Sequence, residues 1–142
     1  MTIPPSVREL IASAPLIHLT TLNRDGSPQV SVVWMGIEED EFVSGHLHLH
    51  QKLKNVRRDP RVVFSCLGRG TNPLGLREYL VVHGKARVTE GGAPGLLQRL
   101  ARLYLRPDAV FPPEPLRNLP GWITRIKPER FGGIGPWNPT KI

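Results

Sequence analysis

The sequence predicts a mainly β fold, a small antiparallel barrel with helical insertions, and three observations predict it. About six segments carry the alternating, β-branched patterning of strands. Most follow one another across turns, whereas a parallel sheet would need a helix after each strand. Only two substantial helical patterns interrupt them. At 142 residues and 39% hydrophobic content, the chain is long enough for one core and reads as a single domain over 1–142.

Each element has its own signal. Val7 to Ala12 reads as a short helix and Leu16 to Leu22 as a strand. Asn23-Arg24-Asp25-Gly26-Ser27-Pro28 has hairpin chemistry. The return strand is expected over Gln29 to Ile37, with Val30, Val32 and Trp34 on one face and Gln29, Ser31, Val33 and Met35 on the other. After the acidic turn Glu38 to Glu41, a third strand is expected over Phe42 to Leu49, with His46 and His48 on one face. A basic helical pattern follows and must stop at Pro60. Arg61 to Leu67 is almost continuously apolar and predicts a buried fourth strand. Gly68 to Gly75 predicts a flexible loop, and Glu78 to Thr89 a long strand bent at Gly84. Leu96, Leu97, Leu100, Leu103 and Tyr104 recur at helical spacing. A Pro-rich connection, Pro107 to Pro120, leads to a last strand over Trp122 to Lys127. The tail from about 129 to 142 carries Phe131 and Trp137 among glycines, and should dock because large apolar groups need a surface to cover.

Nineteen Lys plus Arg against twelve Asp plus Glu give a formal charge of +7, which favours an anionic partner. Aromatic residues are 6% of the chain and none lies among the clustered basic residues, which argues against nucleic acid. Cys66 is the single cysteine and sits in an apolar run, so it reads as a buried thiol outside any disulfide framework. No segment is apolar enough to span a membrane and the start lacks signal-peptide order, so the expected location is cytoplasmic.

Two constellations point to chemistry. His46, His48 and His50 recur at period two, but no carboxylate or cysteine nearby supplies a fourth ligand, and no metal site is assigned. Lys52, Lys54, Arg57 and Arg58 sit where a strand pattern meets a helix start. Free backbone N–H groups and the helix dipole add there to side-chain charge, so the junction reads as an anion site for a phosphate. No nucleophile elbow, phosphate loop or triad spacing is visible, so no catalytic side chain is named and a cofactor is expected to do the chemistry.

Three segments resemble the pyridoxamine 5'-phosphate oxidase-like flavin and deazaflavin proteins. They are Pro28-Gln29-Val30-Ser31-Val32-Val33-Trp34, then Lys52-Leu53-Lys54-Asn55-Val56-Arg57-Arg58-Asp59-Pro60-Arg61, then Tyr79 to Val88. The closing Gly133-Ile134-Gly135-Pro136-Trp137 resembles the branch that uses the deazaflavin coenzyme F420. The resemblance implies a six-stranded split β-barrel of the FMN-binding type, a homodimer with cofactor sites at the subunit interface, and coenzyme F420, or FMN as the alternative. It places cofactor phosphate on His50 and Lys52, with Asn55 in the same signature. It places the ring system against Gln29, Val30, Ser31, Val33, His46 and Leu47, with Trp137 from the tail. His50 stands where relatives often carry Arg, so its charge depends on pH near neutrality.

The function implied is an F420-dependent reductase that transfers a hydride to a small organic acceptor, with Ser31 or His46 as candidate proton relays. Lys54, Arg57 and Arg58 could meet the acidic tail of F420. The alternatives are an FMN-dependent oxidoreductase and a non-catalytic flavin, haem or deazaflavin carrier.

Overall fold

The structure, a computed structural model, describes residues 1–138. Its elements are helix α1 (Pro5–Ala12), strands β1 (Ile17–Leu22), β2 (Pro28–Val33), β3 (Gly36–Glu38) and β4 (Glu41–His46), helix α2 (Gln51–Arg58), strands β5 (Arg61–Thr71) and β6 (Arg77–Glu90), helix α3 (Ala93–Tyr104) and strand β7 (Trp122–Ile134). One antiparallel sheet holds all seven strands in the order β2-β1-β5-β6-β7-β4-β3. Its two edges, β2 and β3, are joined by Trp34 and Met35 alone. Two residues span well under about 12 Å, so the sheet must curl until its edges lie near each other. The edges do not pair, and the barrel is split along that line.

The strand count is seven where the sequence predicted six, because the expected Gln29 to Ile37 strand is two strands. Tyr104 causes the break. The Met35 N–H donates to Tyr104 Oη at 3.1 Å, and Tyr104 donates in turn to the Pro15 carbonyl at 2.6 Å. That takes Met35 out of the ladder, while Trp34 stacks on the Tyr104 ring with centroids 5.4 Å apart.

Three other expectations are corrected. The third strand ends at His46, so His48 does not share a strand face with it. The apolar run Arg61 to Leu67 is buried on one face only, since Val63, Ser65 and Leu67 point to the opposite side from Val62, Phe64 and Cys66. The expected loop at Gly68 is strand up to Thr71 and then a tight turn. Asn72 Oδ1 accepts from the N–H groups of Leu74 and Leu76, and Arg77 donates twice to the Gly68 carbonyl at 3.0 and 2.8 Å. The last strand also runs beyond Lys127 to Ile134, which puts the start of the glycine-rich tail in the sheet; residues 139–142 lie outside the described residues.

The core lies inside the curl. Phe42 and Phe64 meet edge to face at 4.9 Å, with Ile17, Leu19, Met35, Leu80, Val82 and Ile126 around them. Helix α3 closes a second cluster over β4 through Leu96 and Leu100, which pack with Val43 and Ile123. Cys66 is buried, and burial pushes its thiol up to about 11. No helix among the described residues is long and apolar enough to cross a membrane.

Candidate functional site

The site begins where β4 hands over to α2. His46 is the last residue of β4 and is buried, with Ser44 Oγ at 3.0 Å and Thr124 Oγ1 at 3.2 Å from its Nε2. The chain then bends through Leu47 and His48, and His50 caps α2: its carbonyl accepts the N–H groups of Leu53 and Lys54. The His50 side chain makes no capping bond. Within α2, Leu53 and Val56 bury the apolar face while Lys54 and Arg57 face solvent. Asp59 leaves the helix in an extended conformation, and its carboxylate wraps Arg61 across Pro60, at 3.0 Å to Nε and 2.8 Å to NH2. The paired Arg61 holds the Asp59 carboxyl down at about 2.

Charge at this junction is carried by Lys52. Partial burial lowers its pKa from the ordinary lysine value, which marks an ammonium with much of its water removed. The neighbouring imidazoles respond to it. Burial, then Lys52, then His50 push His46 down to about 3, so at neutral pH it holds no imidazolium proton to give. Burial, then Lys52, then His48 lower His50 as well, which leaves its ring largely uncharged at pH 7. The His46 and His50 rings lie 6.3 Å apart and those of His48 and His50 5.9 Å. No group of three or more His, Cys, Asp or Glu among the described residues is placed to hold a metal.

The second part of the site is the inward face of edge strand β2. Gln29, Ser31 and Val33 point in, opposite Thr21, Leu19 and Ile17 of β1. Ser31 Oγ is buried with no hydrogen-bond partner, the one such side-chain atom among the described residues. A buried hydroxyl without a partner is costly, so its proton is available to something that arrives. Val30 takes the other face of the strand and is exposed.

Asn55 joins the two parts. It is fully buried, and both its amide hydrogens are engaged, to Thr21 Oγ1 at 3.0 Å and Asn23 Oδ1 at 2.9 Å. Its oxygen accepts from Gln51 Nε2 at 2.9 Å. Thr21 in turn donates to Gln29 Oε1 at 3.2 Å. Asn55 therefore ties α2 to β1 and β2 through its own contacts. Arg58 reinforces the tie by donating to the Leu22 carbonyl and to Asn55 Oδ1. Sequence reasoning missed Thr21 and Gln51. Their signals were present: a polar residue at the inward position after Ile17 and Leu19, and an i,i+4 amide pair on a helix.

Trp137 lies elsewhere. Its indole N–H donates to the Gly132 carbonyl at 3.0 Å, and Gly132 pairs with Val81. His46 pairs with Trp122, which pairs with Glu90. Val81 and Glu90 are nine residues apart on one strand, so Trp137 sits against one end of β6 and His46 lies towards the other. Trp137 instead walls a cavity of about 420 Å³ with Leu10, Arg69 and Glu78.

No curated protein matches this chain. Among solved structures it is similar to an F420 reductase, at 24% identity over 92% of this chain and 98% of that one, with a TM-score of 0.71. It is also similar to a conserved hypothetical protein of Mycobacterium tuberculosis, at 21% identity over 97% and 86% with a TM-score of 0.70. A haem storage protein of Vibrio cholerae aligns at 17% identity over 94% and 95%, with a TM-score of 0.65. At these identities the likeness is one of fold. Residues 3–118 match the family model for pyridoxamine 5'-phosphate oxidase, and on that match the chain belongs to the pyridoxamine 5'-phosphate oxidase family, which includes flavin-type oxidoreductases.

Proposed function

We propose that the protein is a homodimeric F420-dependent reductase whose cofactor phosphate is held by Lys52 at the start of α2. The observation that carries this reading is the β4–α2 junction: a partly desolvated ammonium next to the Gln51 and Lys52 N–H groups at a helix start. The cofactor fits the donor set. Lys52 meets an anion, Ser31 Oγ is a buried hydroxyl without a partner, and His46 adds no competing charge. The deazaflavin ring supplies hydride chemistry when bound. The chain's own residues bind and orient: Gln29, Ser31 and Val33 line one side, and Leu47 and His46 the other. With His46 neutral, Ser31 is the better placed group to pass a proton from solvent.

Two observations support a second copy. Val30, Val32 and Leu67 stand 59%, 54% and 60% exposed on the outer face of β2 and β5, more apolar strand surface than a monomer usually leaves open. Trp137 sits at the Val81 end of β6 in its own chain, and a partner tail would bring it to the site. Similarity to an F420 reductase and the Gly135-Pro136-Trp137 ending favour the deazaflavin over FMN. Exposed His48 and His50 favour a second reading, a haem carrier, in view of the haem storage protein that shares the fold.

Titration with F420, FMN and haemin, followed by fluorescence and absorbance, separates these. F420 is expected to bind tightest, and Lys52→Ala to weaken it at least roughly tenfold, the loss of one charge-assisted contact. A Soret band with haemin and no F420 binding would replace the reading by the second.

A further inference from the structure

We propose that the groove between the segment after α1, the start of β1 and the β5–β6 hairpin is a second anion site, which takes an organic carboxylate with an apolar body on Arg69 and Arg77. Its walls come from those segments and not from the β4–α2 junction, so the inference stands apart from the cofactor reading.

The groove encloses about 680 Å³, and Leu16, His18, Leu67, Arg69 and Arg77 are among its walls. The hairpin shapes it through a bulge. Leu67 pairs with Tyr79 and Thr71 with Arg77, which leaves Gly68, Arg69 and Gly70 facing Glu78 alone. Only glycine fits at the first of these, since a Cβ on Gly68 would stand 2.7 Å from Glu78 Cβ. The Gly68 carbonyl accepts from Arg77 Nε at 3.0 Å and from Nη2 at 2.8 Å, so one edge of that guanidinium is fixed. Its end-on edge, with one hydrogen each on Nη1 and Nη2, stays open, and that pair of parallel donors matches a carboxylate. A carbonyl cancels no charge, so Arg77 is held in place with its charge intact. Arg69 and Arg77 form no ion pair among the described residues, whereas Arg61, Arg87 and Arg125 of the same sheet each hold a carboxylate. Glu9 and Glu78 wall the neighbouring cavity with Trp137. Two like charges on one groove repel each other, and an anion held between them relieves that repulsion. Leu16 and Leu67 stand exposed beside them and give the rest of the ligand an apolar wall, which selects an organic acid over a bare inorganic anion.

Isothermal titration calorimetry with octanoate tests the site, with octanamide and inorganic phosphate as controls. Octanoate should bind, octanamide roughly tenfold more weakly for lack of the charge, and phosphate more weakly for lack of the chain. Arg77→Gln should weaken octanoate roughly tenfold, and Arg77→Lys should not restore it, because an ammonium cannot donate two parallel bonds. Should the hairpin not fold without Arg77, Arg69→Gln carries the test, with a loss of the same order. Leu16→Ser should weaken octanoate about fivefold and leave phosphate as it was. Equal binding of octanoate and octanamide, phosphate bound as tightly as octanoate, or unchanged affinity in both arginine variants would overturn the inference. So would displacement of octanoate by F420, which would make the groove part of the cofactor site, or an affinity that falls as the protein assembles, which would mean that a second copy fills it. Octanoate bound in the groove of a protein that does not bind F420 would support this inference and overturn the cofactor reading.

Discussion

Burial of His46 behind Ser44 and Thr124, with Lys52 and His50 close by, has a consequence for stability that can be measured. A histidine free in the unfolded chain titrates near 6.5, and in the folded protein near 3. Below pH 6.5 the unfolded state binds the extra proton, so stability is complete above that pH and falls with acidification until about pH 3. Between pH 7 and pH 5 the loss should be about 2 kcal/mol, read as a falling urea midpoint. His46→Gln should flatten that slope, because the amide keeps hydrogen-bonding capacity and does not titrate. Glu41 and Asp59, both lowered by their arginines, lose their contribution only as pH falls through the ordinary carboxylate range, below most of this window. Read from the sequence, the histidine series at period two could not be resolved into roles; only burial separates His46 from the exposed His48 and His50.

Helix α2 has eight residues, too few to hold its shape without packing, so its place depends on what it buries. Leu53 is fully buried and Val56 nearly so. Leu53→Ala should cost about 2–5 kcal/mol in urea unfolding, and the residual folded protein should bind F420 more weakly because the start of α2 is no longer fixed. The tail depends on glycine for a different reason. Gly133 has φ +89°, and a Cβ there would stand 2.1 Å from the Tyr79 carbonyl oxygen. Gly133→Ala should therefore destabilise the β6–β7 pairing by about 1–3 kcal/mol, seen as a lower thermal midpoint. The turn, the basic helix and the bent long strand were legible because each has local chemistry: Gly26 in the hairpin, Pro60 as a stop, a register shift beside Gly84. The division of β2 from β3 was not, because Tyr104, the residue that causes it, lies 69 residues from Met35.

For the whole molecule, the outer face of β2 and β5 is the test of assembly. If two copies share it, Leu67→Lys should shift the protein from dimer to monomer in sedimentation and abolish F420 binding, with Trp137 no longer supplied by a partner. A monomeric wild type would sink this part of the reading. The sequence by itself determined the strand-rich, antiparallel class, the position of α2 and the basic junction at Lys52, because these follow from periodicity, turn residues and charge within short stretches. The tertiary structure alone decided that the sheet splits between β2 and β3, that Asn55 turns inward to Thr21, and that Trp137 bonds to Gly132 at the Val81 end of β6. Each of these depends on contacts between residues distant along the chain, and no local pattern encodes which distant partner a side chain will meet.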